Sequence, residues 1–588
     1  MINYGRFISE KGCVKVANIR LPIGKENFEE LRISGGYYVD KSRFIADLLR
    51  GEQFSVNLIT RPRRFGKTLT MSMLKNFFDI RKDSRGIFEG LSISEDKELC
   101  AEWMNQWPVL FISLKDVSDA EGFPEAYEML AYEISDLCIE HAYLLNSEKV
   151  DEDDKKRFAE LKSKEAAKTD VKNSLYLLTR MMHRHYGKQV ILLIDEYDVP
   201  LAKAHEYGYY RKMLDVIRGM VSKSLKTNEF LKFAIVTGCL RIAKESIFTG
   251  TNHFVENSIY DGNYMDIFGF TEKEVRQILS DANLEEHISD MKRWYDGYHF
   301  GDYDIYCPWD VVNYAAVLMR RPNQLPGNYW KDTSHNDIIR SFIGNKKLHV
   351  NDKFETLLAG GYVKVSICED LTYDLVDSTE DNLWSILYLT GYLTLVGEDE
   401  VAEDDMLKPG EVCLVIPNEE VKTIFEDTIV RWFKDTMRAE NLTPLMLALW
   451  EGNGGKATRI VSDLLFKTIS YHNYKEDFYH AFLAGIFVGV GYPVESDKEH
   501  GEGRPDVVVK DMDNRRVIIL EAKRSKCMED MEKDCQQAFE QINVQRYAED
   551  FLDGYRTVIC YGVAFYKKQC LIKRIDVPVH LTLPFGFA

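Results

Sequence analysis

Short apolar runs alternate with helical patterns along the first half of the chain. Runs rich in β-branched residues or Leu predict strands at Phe54–Thr60, Val109–Leu114, Val190–Ile194 and Lys232–Thr237. Between them, apolar positions recur at helical spacing, for example in Leu69–Phe78 and Glu125–Leu144. Strands that alternate with helices are typical of a parallel α/β sheet. We therefore predict an α/β domain in residues 1–270, with the highly charged stretch Ser147–Asp170 as a solvated helical insertion.

The pattern changes near Phe270, where it becomes mostly helical. We expect residues 271–450 to form a helical lid or connector, with winged-helix elements as an option. Three glycines in Glu451–Lys456 predict a boundary. Beyond it, the pattern predicts a helix over Asp477–Val490, a strand hairpin, a second helix and a last strand, so residues 451–588 are expected to form a C-terminal α/β domain.

Composition narrows the class of protein. The 588 residues are 45% hydrophobic and 29% charged, which is ordinary for a globular protein in water. The net charge of −19 argues against a protein that coats nucleic acid with its whole surface, although a local basic groove stays open. The eleven Cys include no pair spaced as in zinc or redox motifs, and free thiols fit a reducing compartment.

Membrane and secretion signals are not expected. The N-terminal residues Met1–Val14 contain no apolar core of signal-peptide length. The longest apolar stretch, Ala481–Val494, is interrupted by glycines and is shorter than the roughly 18 residues that a bilayer requires. We therefore expect a cytoplasmic protein without membrane contact.

A phosphate-binding loop follows the first predicted strand. The loop Arg61–Thr68 ends in Gly66-Lys67-Thr68, as a P-loop does, and leads into a helix whose N-terminus suits phosphates. Lys67 would reach the β- and γ-phosphates of ATP, and Thr68 would hold Mg²⁺. Arg61 stands where the motif has its first Gly, and with Arg63 and Arg64 it adds positive charge. The alternative is a solvated basic turn.

Two further strand ends supply the other groups that a nucleotide site needs. The buried run Val190–Ile194 ends in Asp195 and Glu196. Asp195 would meet Mg²⁺, and Glu196 would orient or activate the attacking water. Thr237, at the end of the next strand, could sense the γ-phosphate, and Arg241 could neutralise its charge. Solvated acids and a surface arginine are the alternatives.

These segments resemble the AAA-ATPase-like family of bacterial proteins, which are P-loop ATPases of signalling type. The resemblance is carried by Leu21–Gly24, Tyr38–Lys41, Arg61–Thr68, Leu193–Pro200, Lys244–Phe248, Phe268–Phe270, Trp294–Tyr298 and Ile416–Val421. In that family the arginine-rich loop is the usual form, so Arg61 is not a departure from it. The resemblance implies that Lys67, Thr68 and Asp195 bind ATP and Mg²⁺, and it also implies ATP hydrolysis.

A predicted hairpin brings two carboxylates together near the C-terminus. The apolar runs Val507–Val509 and Val517–Leu520 flank the turn-rich stretch Asp511–Asn514. The midpoint between Asp506 and Glu521 falls at this turn. A hairpin folded there would place the two carboxylates opposite each other, with their Cβ atoms about 5 Å apart.

Lys523 completes this cluster, because side chains repeat every second residue along a strand and Lys523 therefore shares a face with Glu521. Two carboxylates can hold Mg²⁺ or Mn²⁺, and the ion polarises a phosphate group. Lys523 would position or activate the attacking water, or stabilise the developing negative charge. A surface hairpin with alternating charges is the alternative interpretation.

This spacing resembles the PD-(D/E)xK nuclease superfamily, whose motif matches Pro505, Asp506, Glu521 and Lys523. The stretch that begins at Glu499 and the later Gln541-Ile542 also resemble the nuclease domain that is often joined to the AAA-ATPase-like domain. The resemblance implies a restriction-endonuclease-like α/β fold. It also implies that Glu499 is an additional acid near the metal and that Gln541 lies beside the catalytic site.

Other polar residues of this region stay open. Glu476 is a further candidate acid, whereas His480 is typical of a histidine packed between helices. In the helix Met531–Tyr547 we assign to the core an apolar stripe of Met531, Cys535, Ala538 and Ile542. Gln537, Gln541 and Gln545 share a neighbouring face, where they would contact a phosphate backbone or metal-bound water, or simply face solvent.

Three hypotheses for function follow. The first is an ATP-binding and ATP-hydrolysing protein whose Mg²⁺-dependent nuclease domain cleaves nucleic acid, with DNA as the expected substrate, under nucleotide control. The second is a nucleotide-dependent signalling switch whose nuclease-like domain binds nucleic acid without cutting it. In the third, the P-loop is retained for structure alone and does not bind ATP. The sequence contains no helicase motif, and it leaves a homo-oligomer open.

Overall fold

The chain divides into two compact units. The computed structural model describes residues 19–51, 55–118, 120–226, 228–240, 254–260, 263–330, 351–368, 371, 379–397, 407–408, 410–439, 441–467, 479, 482–483, 486–487, 492–495, 505–552 and 554–575. The first unit contains the described residues of 1–333 and 364–421, and the second contains those of 334–363 and 422–588. The boundaries of the three-domain division at residues 270 and 450 stay a prediction.

A parallel sheet forms the centre of the first unit. Its strands are β1 (Val56–Thr60), β2 (Val109–Ser113), β3 (Val190–Asp195), β4 (Leu231–Gly238) and β5 (Phe254–Asn257), in the order β2-β3-β4-β1-β5. Every neighbouring pair is parallel. Every residue of β1 and β3 is buried, as expected for a sheet that is covered on both faces. The predicted strands are confirmed, with small shifts at their ends.

Helices connect and cover these strands. Their bounds are α1 (Phe28–Ile33), α2 (Arg43–Arg50), α3 (Lys67–Phe78), α4 (Arg85–Phe88), α5 (Lys97–Trp103), α6 (Phe123–Glu140), α7 (Glu152–Ser163), α8 (Lys168–Lys172), α9 (Ser174–Tyr186), α10 (Val199–Glu206) and α11 (Tyr210–Leu225), with 3-10 turns at Ser92–Glu95 and Ala142–Asn146. The charged insertion is helical, as predicted. It is not wholly solvated, because α7 buries Phe158 and Leu161.

The region after Phe270 combines helices with two small sheets. The helices are α12 (Glu272–Ala282), α13 (Ile288–Tyr295), α14 (Pro308–Leu318), α15 (Asn351–Leu358), α16 (Glu380–Leu389), α17 (Glu419–Ala439) and α18 (Thr443–Trp450), with a 3-10 turn at Glu285–His287. The strands are β6 (Phe270–Thr271), β7 (Tyr298–Phe300), β8 (Tyr303–Tyr306), β9 (Val363–Ser366), β10 (Thr394–Leu395) and β11 (Glu411–Val415). They form the three-stranded sheets β6-β8-β7 and β10-β11-β9. The prediction of a mostly helical region missed these sheets, because strands of two to five residues are too short to set up a period.

The second unit contains a mixed sheet. Its strands are β12 (Val494–Glu495), β13 (Val507–Asp511), β14 (Arg516–Arg524), β15 (Thr557–Tyr566) and β16 (Gln569–Ile575), in that order. Only the β14–β15 pair is parallel among these described strands. The helices α19 (Gly454–Lys467), α20 (Met531–Val544) and α21 (Glu549–Leu552) complete the described elements. Most of the predicted helix Asp477–Val490 lies outside the described residues.

Alternate residues of the central strands enter two different cores. Val507, Val509, Ile518 and Leu520 pack with α18, α19 and a described group at Tyr479–Phe487 on one face of the sheet. Val508, Val517 and Ile519 pack with Ile542 of α20 on the other face. The predicted apolar stripe of α20 is buried, as expected. This alternation places the side chains of Asp506 and Glu521 on the α20 face of the sheet.

Across the described residues, no helix is long and apolar enough to cross a membrane.

Candidate functional site

The P-loop of the first unit connects β1 to α3. Gly66 caps α3 with φ of 84°, a left-handed conformation that favours glycine. Lys67 is buried, and its Nζ donates hydrogen bonds to the backbone oxygens of Arg61 at 3.0 Å and Pro62 at 2.9 Å. Burial lowers the pKa of Lys67, but the negative charges around it, including Glu196 and Asp195, raise the pKa overall. Lys67 is therefore a charged amine that bonds to the carbonyls of its own loop.

Asp195 ends β3 beside the P-loop. Ile194 pairs with Val236, so Asp195 and Thr237 leave neighbouring strands together. The hydroxyl of Thr237 donates to Asp195 Oδ1 at 2.5 Å, whereas Oδ2 is buried and, within the described part of the chain, lacks a hydrogen-bond partner. Burial raises the pKa of Asp195, and the hydroxyls of Thr237 and Thr68 oppose that rise. A buried carboxylate with one unsatisfied oxygen beside Thr68 is a donor set that fits Mg²⁺.

Glu196 turns its side chain out of the strand. Its φ is 52°, which a non-glycine residue seldom adopts, and its side chain is partly exposed. The backbone N–H of Glu196 points to the hydroxyl of Thr237 at 3.4 Å. The backbone turn thus separates the two acids, because Asp195 stays buried while Glu196 reaches the surface of the site.

Arg61 has a role in the fold besides the one expected of it. Its side chain is fully buried and donates to the backbone oxygens of Thr60 at 2.8 Å, Asn257 at 2.6 Å and Asn263 at 2.7 Å. Its guanidinium carbon also lies 5.3 Å from the centre of the Phe268 ring. Arg61 therefore ties the P-loop to the segment after β5, and the expectation that it adds charge for a phosphate stays a prediction.

The other two arginines of the loop are partly exposed. Arg64 Nη1 donates to the backbone oxygen of Tyr329 at 2.8 Å, and its guanidinium carbon lies 4.7 Å from the centre of the Trp309 ring. Its backbone has φ of 70°. A role for Arg63 or Arg64 in nucleotide binding stays a prediction.

Asp198 is a residue of this site that sequence reasoning missed. It is buried, and its Oδ2 accepts hydrogen bonds from the backbone N–H groups of Cys239 at 2.9 Å and Leu240 at 3.1 Å. A Cβ on Gly238 would lie 2.7 Å from Asp198 Oδ1, so only glycine fits there. Asp198 thus fixes the backbone that leads to Arg241, which itself lies outside the described residues. The available signal was a third carboxylate three residues after Asp195.

The carboxylates of the second unit lie face to face. The β13–β14 register pairs Val507 with Leu520, which places Asp506 opposite Glu521 and confirms the predicted hairpin. Asp506 Oδ2 accepts a hydrogen bond from the backbone N–H of Ala522 at 2.7 Å, and the Asp506 N–H points to Glu521 Oε2 at 3.4 Å. Asp506 is 8% exposed and Glu521 is 1% exposed, so the two acids meet in a desolvated position.

Lys523 lies on the same face as Glu521, and its Nζ is 3.2 Å from Glu521 Oε1. Burial and the charge of Asp506 raise the pKa of Glu521 to about 7, although Lys523 opposes the rise. Two buried carboxylates that repel each other fit a divalent cation, because such an ion would compensate both charges. The arrangement provides two anionic ligands and a nearby amine.

Gln541 of α20 contacts Tyr547, which follows this helix. Gln541 Nε2 is 3.4 Å from the hydroxyl of Tyr547, which is buried. Burial raises the pKa of Tyr547, Gln541 opposes the rise, and the charges of Glu521 and Asp506 add to it. Tyr547 therefore lies near the carboxylates. Sequence reasoning used it only to mark the end of a helix.

Several predicted residues lie outside the described residues, namely Arg241, Glu476, His480 and Glu499. Among the residues that are described, no group of three His, Cys, Asp or Glu side chains could hold a metal ion. The structure therefore describes the two-carboxylate part of the candidate metal site at Asp506 and Glu521. The roles of all these residues stay predictions.

Fold and local geometry define two classes of domain. A parallel sheet with a P-loop after β1 and an acid at the end of β3, with β4 between these two strands, defines a P-loop nucleotide-binding domain. A hairpin that opposes two carboxylates, with a lysine two residues after the second, matches the PD-(D/E)xK motif. Comparison with family models agrees with both. Residues 22–248 match the family described as "Predicted AAA-ATPase", and residues 474–575 match "PD-(D/E)XK nuclease superfamily".

The chain thus matches a predicted AAA-ATPase domain in its N-terminal part and a PD-(D/E)XK nuclease superfamily domain in its C-terminal part, so both resemblances drawn from the sequence are confirmed. The chain also aligns with one relative along nearly the whole length of both proteins. A protein of Azotobacter chroococcum mcd 1, described as an uncharacterized protein in the vnfD 5' region, is 23% identical over 561 residues. The match covers 93% of this chain and 96% of that protein.

Proposed function

We propose that this chain is an ATP-binding and ATP-hydrolysing protein whose C-terminal domain cleaves nucleic acid, specifically DNA, with a divalent metal ion under the control of the bound nucleotide. One observation carries the proposal. The hairpin register opposes the buried carboxylates of Asp506 and Glu521, and Lys523 lies beside them. Burying two acids together is unfavourable unless a cation or a proton compensates them.

Each residue of the nuclease site has a distinct task in this proposal. Mg²⁺ or Mn²⁺ held by Asp506 and Glu521 would polarise the scissile phosphate. The hydrogen bond from the Ala522 N–H fixes the orientation of Asp506. Lys523 would orient the attacking water or stabilise the negative charge that develops on the phosphate. Gln541 would contact the phosphate backbone from α20, and Glu499 would add a further carboxylate.

The nucleotide site requires a change of partner for Lys67. Its amine bonds to two carbonyls of the loop, and those bonds must break before it can reach the β- and γ-phosphates of ATP. Thr68 and Asp195 would hold Mg²⁺, and Glu196 would orient the attacking water. Thr237 is bonded to Asp195 and would respond to the γ-phosphate, as would Arg241. Lys67→Ala should therefore abolish the ATP-dependent rise in thermal stability.

Cleavage of plasmid DNA tests the nuclease assignment. Wild type should nick or linearise the plasmid with Mg²⁺ or Mn²⁺, and Lys523→Ala should lose this activity by about 100-fold. Lys526→Ala is the matched control, because Lys526 is an exposed lysine three residues away. Equal nicking by wild type and Lys523→Ala would remove the nuclease proposal. Linear DNA and RNA in the same assay would test the choice of DNA as substrate.

Nucleotide control is tested with the same assay. Cleavage by wild type is compared without nucleotide, with ATP and with ADP, and each condition is repeated with Lys67→Ala. We expect ATP to change the rate for wild type and to leave that of Lys67→Ala unchanged. Equal cleavage rates for wild type under all three conditions would show that the nucleotide does not control the nuclease activity.

A binding module that does not cut is the second candidate function. The observation that favours it is that Lys523 Nζ lies 3.2 Å from Glu521 Oε1, so the lysine compensates part of the charge of the two carboxylates without a metal ion. In this case, wild type should retain DNA without cleaving it, and Lys523→Ala should alter the affinity alone. A gel-shift measurement beside the cleavage assay separates the two functions.

A further inference from the structure

A buried glutamate of the first unit, Glu420, fixes the backbone of residues 328–330. Its Oε1 accepts hydrogen bonds from the backbone N–H groups of Tyr329 and of Trp330, the latter at 2.8 Å. Asn328 Nδ2 donates in turn to the backbone oxygen of Glu420 at 3.2 Å. The contacts join residues that lie some 90 positions apart in the sequence.

The backbone that Glu420 fixes holds a side chain of the P-loop. The carbonyl of Tyr329 accepts a hydrogen bond from Arg64 at 2.8 Å and another from Trp309 Nε1 at 3.2 Å. The guanidinium of Arg64 also stacks on the Trp309 ring. We call Arg64, Trp309, Tyr329 and Glu420 the P-loop clamp. Because Arg64 has a positive φ, its backbone conformation costs energy that neighbouring contacts must offset.

Asp310 is buried beside Glu420. Two buried carboxyl groups that lie close together repel each other when both are charged, which favours the protonated form of one of them. Burial and the charge of Asp310 raise the pKa of Glu420, and burial raises the pKa of Asp310. The other titratable or charged groups that act on this pair are Arg64, Tyr295, Tyr298, Cys307 and Tyr329.

We propose that Glu420 is a positioning residue for ATP, because it holds Tyr329, and through Tyr329 it holds Arg64 and the shape of the P-loop. This inference rests on the proposed ATP binding. Glu420 would not touch the nucleotide itself. Glu420 is the second residue of α17. A movement of the P-loop would therefore be transmitted through Arg64 and Tyr329 to the first turn of that helix.

Binding of ATP with Mg²⁺ to the full chain tests the clamp. Glu420→Gln keeps an acceptor oxygen and offers an N–H to Asp310, so it imitates the protonated glutamate, and its Kd should stay within about twofold of wild type. Glu420→Ala and Arg64→Ala should each raise the Kd by about tenfold. The double variant should have a Kd close to that of either single variant, because both substitutions break the same chain of contacts. A double variant whose Kd rises by the product of the two single effects would overturn the proposal.

Amide hydrogen exchange of residues 61–68 without nucleotide supplies a second readout. Exchange should be faster in Glu420→Ala than in wild type and unchanged in Glu420→Gln. If wild type fails to bind ATP but this difference appears, the clamp stands and the proposed ATP function fails. A folded Glu420→Ala with wild-type exchange and Kd would overturn the clamp. If Glu420→Ala does not fold, Trp309→Ala takes its place in both measurements, since that ring is partly exposed and its loss should have the same effects.

Discussion

The two candidate sites assemble their chemical groups in different ways. In the first unit, the groups come from three parallel strand ends spread over Arg61–Thr237, and they meet because parallel strands end at one edge of a sheet. In the second unit, Asp506, Glu521 and Lys523 meet because one hairpin brings their two strands together. The first site therefore depends on distant packing, whereas the second depends on the register of a single pair of strands.

The two sites also differ in how their charges are compensated. Lys67 is surrounded by acids and bonds to carbonyls of its own loop, so its charge is compensated without a ligand. Asp506 and Glu521 repel each other with Lys523 as a neighbouring cation. We infer that Lys67 of the nucleotide site needs no ligand to compensate its charge, whereas the opposed acids of the hairpin site lower the stability of their domain until a cation binds.

The largest expected effect tests the hairpin site. Asp506→Asn keeps an oxygen for the Ala522 N–H and removes one of the two opposed charges. Cleavage should fall by about 100-fold or more, whereas the metal-free protein should gain roughly 1 kcal/mol in its free energy of unfolding at neutral pH. Plasmid cleavage and urea unfolding measure the two effects. A loss of both activity and stability would remove the contrast between the sites.

The next effect tests the distant packing of the nucleotide site. Gly238→Ala places a Cβ 2.7 Å from Asp198 Oδ1 and against the Tyr197 ring. We expect a loss of about 2 kcal/mol in the free energy of unfolding and weaker ATP binding, because this core cannot yield without moving Asp198. Gly86→Ala is the control, since nothing lies within 4 Å of its added Cβ. Similar results for both substitutions would show that the packing is loose.

A smaller effect tests the link between two strand ends. Thr237→Val removes the hydroxyl that donates to Asp195. The free energy of unfolding should fall by about 1.5 kcal/mol, because a buried carboxylate loses a hydrogen bond, and the affinity for ATP with Mg²⁺ should also fall. Thr237→Ser keeps the hydroxyl and should behave like wild type in thermal unfolding and ATP titration. If Thr237→Val and Thr237→Ser gave the same results in both measurements, the hydrogen bond between Thr237 and Asp195 would not contribute.

The smallest effect is a dependence on pH. The pKa of Glu420 is raised from its ordinary value of 4.5, so its stabilising contribution is complete below about pH 4.5 and is lost as the pH rises toward the folded value. Glu420→Gln cannot ionise. Between pH 6 and 7 it should therefore lose about 1.4 kcal/mol less in free energy of unfolding than wild type. Parallel pH profiles would mean that Glu420 is already ionised in the folded protein.

The parts that the sequence predicts are those set by local periodicity. The strand runs of the first unit are short and mostly apolar, and the hairpin register follows from the turn between Asp506 and Glu521. The destination of Arg61 could not be predicted, because its partner Asn257 lies 196 positions away. Glu420 and Asp310 also lie far apart in the sequence, and neither residue belongs to a motif with a known mechanism.

Other parts were missed because their signal is weak in one dimension. The short strands of the two small sheets carry too few residues for an alternating pattern to appear. Asp198 lies in the segment after β3 and Tyr547 at the end of a predicted helix, but only packing reveals that Asp198 holds two backbone N–H groups and that Tyr547 lies near Glu521. Sequence thus predicts where acids stand on a strand, and packing decides what each of them bonds.

Binding of Mn²⁺ to the full chain without nucleotide or nucleic acid tests the central claim most directly. The account predicts that Asp506→Asn and Glu521→Gln each remove one Mn²⁺ site seen in calorimetric titration of wild type, while Lys523→Ala and Lys526→Ala retain it. If both carboxylate variants bind Mn²⁺ with the stoichiometry and affinity of wild type, the opposed acids do not share a metal ion, and the account is contradicted.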